Sequence, residues 1–142
     1  MSGGDAGTVV ARTGAGSFET SVRIREHELR VDEPVAQGGT DTGPTPSELV
    51  AAALASCTTI TLHMYADRKG WPLEAVEVGV ERRSEPGARR AGGRATPRYA
   101  CTVRFTGPLD ETQVARLLEI AERCPVHRQL AGGTEITTEL ID

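Results

Sequence analysis

Three cysteines, Cys57, Cys101 and Cys124, give this 142-residue sequence its main capacity for chemistry. At 100° per residue, Cys57 shares one helical stripe with Val50, Ala53, Ile60 and Met64. Alone on such a stripe, a cysteine reads as a small buried hydrophobe. Cys124 adds a second possibility. It follows Leu117 by seven residues, on the apolar stripe of another helix, and Pro125 comes directly after it. A residue before proline is disfavoured in the α region, whereas proline favours the first helical position. The segment C-P-V-H-R-Q-L is therefore expected to open a short new helix with Cys124 at its N-cap. Free N–H groups and the helix dipole would face that sulfur and favour its thiolate. The two cysteine-bearing stripes could meet, and a bridge would need Cβ atoms within about 4.5 Å.

The remaining reactive side chains read as structural. Cys101 alternates with Tyr99, Val103 and Phe105, which predicts a chemically silent core position on a strand. His27 shares parity with Leu29 and Val31 and is expected to face inward. His63 lies about 120° from Cys57 around the helix, too far to be its obvious base. His127, three residues after Cys124, is a candidate neighbour, with a cap or surface role as the alternative. Glu48 stands three residues after Thr45, as a capping box requires. Six arginines between 82 and 98 have no phosphate-binding glycine motif beside them and read as a solvated loop.

These residues need elements to hold them. Residues 1–8 read as a flexible tail and 9–142 as a single domain. Alternation over 18–24 and 27–32 predicts a hairpin turning near Glu26, followed by a Gly/Pro/Thr-rich loop at 34–44. A helix should start at Thr45-Pro46 and end near Lys69-Gly70. Its stretch from Leu49 to Met64 contains no Asp, Glu, Lys or Arg, which predicts burial on nearly every side. Strands are expected at 76–81 and 99–105, joined by a basic loop at 84–98. A second helix should be capped by Asp110 and Gln113, and a last strand is expected over 134–141. The order β-β-α-β-β-α-β is that of an α+β domain.

Composition sets outer limits. Hydrophobic residues make up 38% and charged residues 25%, and the net charge is −4. That balance argues against nucleic acid or an anionic membrane as the main partner. The helix rich in threonine is expected to be too short to span a bilayer. The N-terminus carries neither a basic region nor an apolar core, so no signal peptide is expected, and a cytoplasmic location is. In a reducing cytoplasm three cysteines favour buried, catalytic or metal-binding roles over structural disulfides.

Three segments are similar to a known family. They are G-G-T-D-T-G-P-T-P-S-E-L-V-A-A-A-L-A-S-C, H-M-Y-A-D-R-K-G-W-P-L-E-A-V-E-V and G-P-L-D-E-T-Q-V-A-R-L-L-E-I-A-E-R-C-P-V-H-R. In this order they resemble the OsmC/Ohr family, named for osmotically inducible protein C and organic hydroperoxide resistance. The resemblance implies an intertwined homodimer with two central helices wrapped by β-sheet. It implies a thiol-dependent peroxidase acting on organic hydroperoxides, with no metal or organic cofactor. Cys57 matches the peroxidatic position and Cys124 the resolving one. The family's acidic residue falls at Ser47, and Glu48 stands one position later. Its arginine has three candidates, Arg12, Arg23 and Arg25. Glu48 and Arg23 are taken as the supporting pair. A dithiol reductant is implied, in this family often a lipoylated protein.

Two rival readings accompany this one. The first is a non-catalytic module that holds a small apolar ligand. The second is a zinc site built from Cys57, Cys124 and His127 or His63, although only C-P-V-H approaches close ligand spacing.

Overall fold

A computed structural model describes residues 7–89 and 95–141. The chain divides into two compact units, Ser2–Ala52 and Ala53–Asp142.

In the first unit, β1 (Val9–Thr13), β2 (Thr20–Ile24) and β3 (His27–Val31) form an antiparallel meander in that order. The expected hairpin is β2–β3, closed by Arg25 and Glu26, with Arg25 in the left-handed region at φ 54°. Thr20, Val22 and Ile24 are half-buried and Ser21 and Arg23 exposed, as the alternation requires. His27 is exposed, contrary to its expected inward placement, because it begins β3 directly after the Arg25–Glu26 turn, at the tip of the hairpin. The strand β1 was not expected. Its V-V-A-R-T sequence lacks alternation, and all five residues are exposed on the sheet edge.

The loop after β3 is organised by a buried acid. Asp32 is 2% exposed and accepts five hydrogen bonds of 2.7–3.2 Å: from Glu33 N–H and from both the N–H and the hydroxyl of Thr40 and of Thr42. Burial alone would raise its carboxyl pKa. The donors, those of Thr42 foremost, overcome this and hold the carboxyl far below the usual carboxylate range. Gly39 allows the close approach, since a Cβ there would run into the Glu33 carbonyl.

Helix α1 (Pro46–Lys69) begins in this unit and continues into the next. Its start matches the expected punctuation. Glu48 N–H donates to Thr45 Oγ1 at 3.1 Å, and Thr45 N–H donates to Glu48 Oε1 at 2.8 Å. By length and composition alone this helix could cross a membrane, with a stretch of mean hydropathy 1.5. The expectation that it is too short does not hold.

In the second unit, β4 (Ala75–Arg89) pairs antiparallel with β5 (Ala95–Thr106). The strands continue through much of the expected basic loop, so only residues 90–94 lie outside the description there, with Arg90 and Arg94 among them. Helix α2 (Glu111–Ala121) opens on the expected capping box, Gln113 N–H donating to Asp110 Oδ1 at 2.8 Å. Helix α3 (Pro125–Gly132) follows directly. Leu62, Tyr65, Ala66, Leu117 and Ile120 form the larger core cluster, with Trp71, Val76, Val103 and Phe105 against it. Burying a leucine completely, as at Leu62 and Leu117, contributes about 1.5–3 kcal/mol each.

Two expectations fail here. Residues 134–141 pair with no described strand, and Ile136, Leu140 and Ile141 are exposed. The expected core stripe of helix α1 is also not the one this chain covers. Its covered face carries Leu54, Cys57, Thr58, Leu62, Tyr65 and Ala66, whereas Ile60 is 49% and Met64 46% exposed. A helix apolar all round gives no stripe to choose from, so the expected stripe shared only Cys57 with the observed one.

Candidate functional site

The second unit brings Cys57 and Cys124 together. With Leu54 they form a separate buried cluster, walled by Val80, Tyr99 and Val126. Cys57 is 5% exposed and Cys124 0%. Both are free thiols. Each reaches this point by local sequence logic. Cys57 sits mid-helix on the covered face of α1. Cys124 ends the turn after α2 in extended conformation, φ −58° and ψ 136°, because Pro125 starts α3 at the next residue. The Cys124 sulfur then accepts a hydrogen bond from the His127 backbone N–H at 3.3 Å. This is the N-cap geometry that the C-P-V-H sequence predicts.

The electrostatics of Cys57 are unbalanced. Desolvation pushes its thiol pKa up, and the hydrogen bond and charge of Cys124 push in the same direction. The Val126 backbone N–H and the Thr61 hydroxyl act the other way, without overcoming the rise. Thr61 Oγ1 is itself buried and has no conventional hydrogen-bond partner among the described residues. It stands four residues after Cys57, one helical turn on, and sequence analysis passed over it. The i, i+4 spacing was the signal that could have found it. Among the described residues, none of the groups acting on Cys57 is a cation. Chemically, the arrangement is a buried pair of thiols in one apolar cluster, with a backbone N–H donating to the Cys124 sulfur.

The other candidates lie elsewhere. Glu48 is exposed and engaged in capping α1. Arg23 is exposed on β2 and faces Glu28 at 3.8 Å. Arg12 is exposed on β1, and Arg25 occupies the hairpin turn. His63 and His127 are half-buried. Among the described residues, no group of three or more His, Cys, Asp or Glu side chains could hold a metal ion. Cys101 is exposed, which corrects its expected place in the core. The alternation was read correctly, since Tyr99, Val103 and Phe105 are half-buried, but this one position of the face lies open.

A family model for OsmC-like proteins matches residues 39–139. Among solved structures, an OsmC-like protein from Mycoplasma pneumoniae is similar at TM-score 0.73 and 19% identity, over 88% of this chain and 86% of that one. An organic hydroperoxide resistance protein OsmC from Legionella pneumophila is similar at TM-score 0.63 and 24% identity, over 85% and 87%. An organic hydroperoxide resistance protein from Elizabethkingia anophelis is similar at TM-score 0.65 and 21% identity, over 84% of each chain. A comparison with curated protein sequences yields no match. At these identities the solved structures speak for the fold, which is the mixed helix-and-sheet fold of the OsmC/Ohr proteins. The family match spans both α1, with Cys57, and the α2–α3 segment, with Cys124, and the chain belongs to the OsmC-like protein family.

Proposed function

We propose that this protein is a thiol-dependent peroxidase that reduces organic hydroperoxides to alcohols. One observation carries the proposal: the Cys57 and Cys124 thiols are buried together in one apolar cluster. The Cys57 thiolate attacks one peroxide oxygen, and the O–O bond breaks. The alkoxide leaves and takes up a proton, and Cys57 becomes a sulfenic acid. Cys124 then attacks the Cys57 sulfur and expels water, leaving a Cys57–Cys124 disulfide. An external dithiol, such as a lipoylated protein, restores the two thiols. The apolar walls formed by Leu54, Val80 and Val126 suit an organic peroxide better than hydrogen peroxide. Neither a metal nor an organic cofactor takes part.

Two further elements belong to the proposal. The raised Cys57 pKa calls for a positive charge near the sulfur in the reacting state. Arg23 is proposed to supply it, with Arg12 and Arg25 as alternatives and Glu48 as the orienting acid. The exposed apolar residues Ile60, Met64, Leu118 and Ile136 support a homodimer in which each copy covers the other's helix. We further propose that residues 9–142 act as one functional domain in a reducing, cytoplasmic setting.

The alternative is a non-catalytic module for a small apolar ligand, favoured by the absence of a cation among the described groups acting on Cys57. Consumption of cumene and tert-butyl hydroperoxide in the presence of dithiothreitol or dihydrolipoamide separates the two. The peroxidase reading predicts turnover by wild type and none by Cys57→Ser. Binding of the peroxides without consumption would establish the alternative.

A further inference from the structure

Cys101 is placed to act on the same sulfur chemistry. Its Cα pairs with that of Val80 across the β4–β5 ladder, and directly opposed residues of an antiparallel pair share a face. Val80 packs against the Cys57–Cys124 cluster, as does Tyr99, two residues before Cys101. The Cys101 side chain therefore lies on the sheet face that walls the dithiol. It lines two clefts there, one of about 490 Å³ with Leu54, Tyr99 and His127, and one of about 280 Å³ with Thr58, Leu118 and His127. The charge of Cys124 also acts on the Cys101 thiol. The three thiols differ in one respect. Cys57 and Cys124 are buried, whereas Cys101 is exposed.

We propose that Cys101 is a third reacting thiol, which takes over the disulfide from Cys57 by exchange and presents it at the surface for reduction. This rests on the peroxidase reading. In the step, the Cys101 thiolate attacks the Cys124 sulfur. The Cys101–Cys124 bond forms, the Cys57–Cys124 bond breaks, and Cys57 leaves as thiolate, so no net oxidation occurs. The proton that Cys101 loses returns to Cys57. An external dithiol then attacks the Cys101 sulfur in the open cleft. Desolvation first, and the neighbouring Cys124 second, raise the Cys101 thiol pKa, so the exchange speeds up as pH rises.

The test uses the full chain. Reduced wild type, Cys101→Ser and Cys101→Ala receive one equivalent of cumene hydroperoxide. They are quenched with acid at intervals, and linked peptides are identified by mass spectrometry after alkylation. Re-reduction by dithiothreitol is timed in parallel. The relay predicts a Cys57–Cys124 peptide followed by a Cys101–Cys124 peptide in wild type. It also predicts an unchanged peroxide burst in both variants, with re-reduction slowed roughly fivefold or more. A Cys57–Cys124 peptide alone, with equal re-reduction in all three proteins, overturns the relay and leaves the peroxidase reading standing. So does a Cys101–Cys124 peptide without any change in rate, or a Cys57–Cys101 peptide in its place. If peroxide produces neither sulfenic acid nor disulfide at Cys57, the peroxidase reading fails and takes the relay with it.

Discussion

Asp32 and Cys57 are both buried ionisable groups, and their surroundings treat them in opposite ways. Asp32 accepts five hydrogen bonds from the loop that follows it, and its charged form is held firmly. Cys57 has an apolar wall, a second thiol and two weak donors, and its charged form is disfavoured. A buried group whose partners are complete is a structural fixture. A buried nucleophile whose partners are incomplete is poised to react once the missing charge arrives. Under the proposed function, Asp32 serves folding and Cys57 serves chemistry.

Substitution at the two centres should separate those assignments. Cys57→Ser should abolish multiple turnover of organic hydroperoxide, a loss of at least about 100-fold, with the melting temperature nearly unchanged. Steady-state peroxide consumption and a thermal melt on the same sample check both halves. Cys124→Ser should consume about one equivalent and then stop or over-oxidise, because the resolving thiol that captures the sulfenic acid is gone. Equal multiple turnover by the two variants would remove the distinction between nucleophile and resolving thiol.

A smaller effect is expected from the supporting arginine. Arg23→Ala should slow the peroxidase by roughly tenfold, the worth of about 1.4 kcal/mol of transition-state charge stabilisation. Its exposed contact with Glu28 predicts a stability change of no more than about 1 kcal/mol. A scan of Arg12, Arg23 and Arg25 by single alanine substitutions, read as kcat/KM, identifies which one matters.

Asp32 supplies the opposite signature. Asp32→Ala should lower the melting temperature while the folded fraction keeps the reactivity of Cys57 toward a small alkylating reagent. The pH dependence follows from the sign of its shift. A carboxyl held lower in the folded state than in the unfolded one contributes its full stability above the unfolded value, about pH 4. That contribution declines as pH falls toward the folded value. Acid unfolding of wild type should therefore steepen below about pH 4 relative to Asp32→Asn. Cys57 moves the other way: its thiol is raised, so its alkylation should accelerate at pH values above those at which an unperturbed thiol responds.

The sequence made the chemical centre more legible than the scaffold. The Thr45-Pro46-Glu48 start of α1, the Asp110–Gln113 box and the Cys124-Pro125 cap are local signals, and each appears as read. Long-range features were hidden. The hydrogen bonds of Asp32 come mostly from residues eight and ten positions away, and no periodicity announces them. Pro86, Gly87, Gly92 and Gly93 made 84–98 look like a loop, yet the β4–β5 ladder reaches Arg89 and Ala95. The apolar residues of 134–141 have a strand's pattern but no ladder partner among the described strands. Cys101 shows the limit most directly, since alternation gives a face but not whether that face is covered.

The identity of the nucleophile is the point on which the account stands. Reduced Cys124→Ser protein, treated with one equivalent of cumene hydroperoxide in the presence of dimedone and digested for mass spectrometry, reports it directly. The account predicts a dimedone adduct on Cys57 at close to full occupancy, with Cys101 unlabelled and no adduct in a Cys57→Ser control. Consumption of the peroxide with the adduct on Cys101, or with no adduct at Cys57, would contradict it.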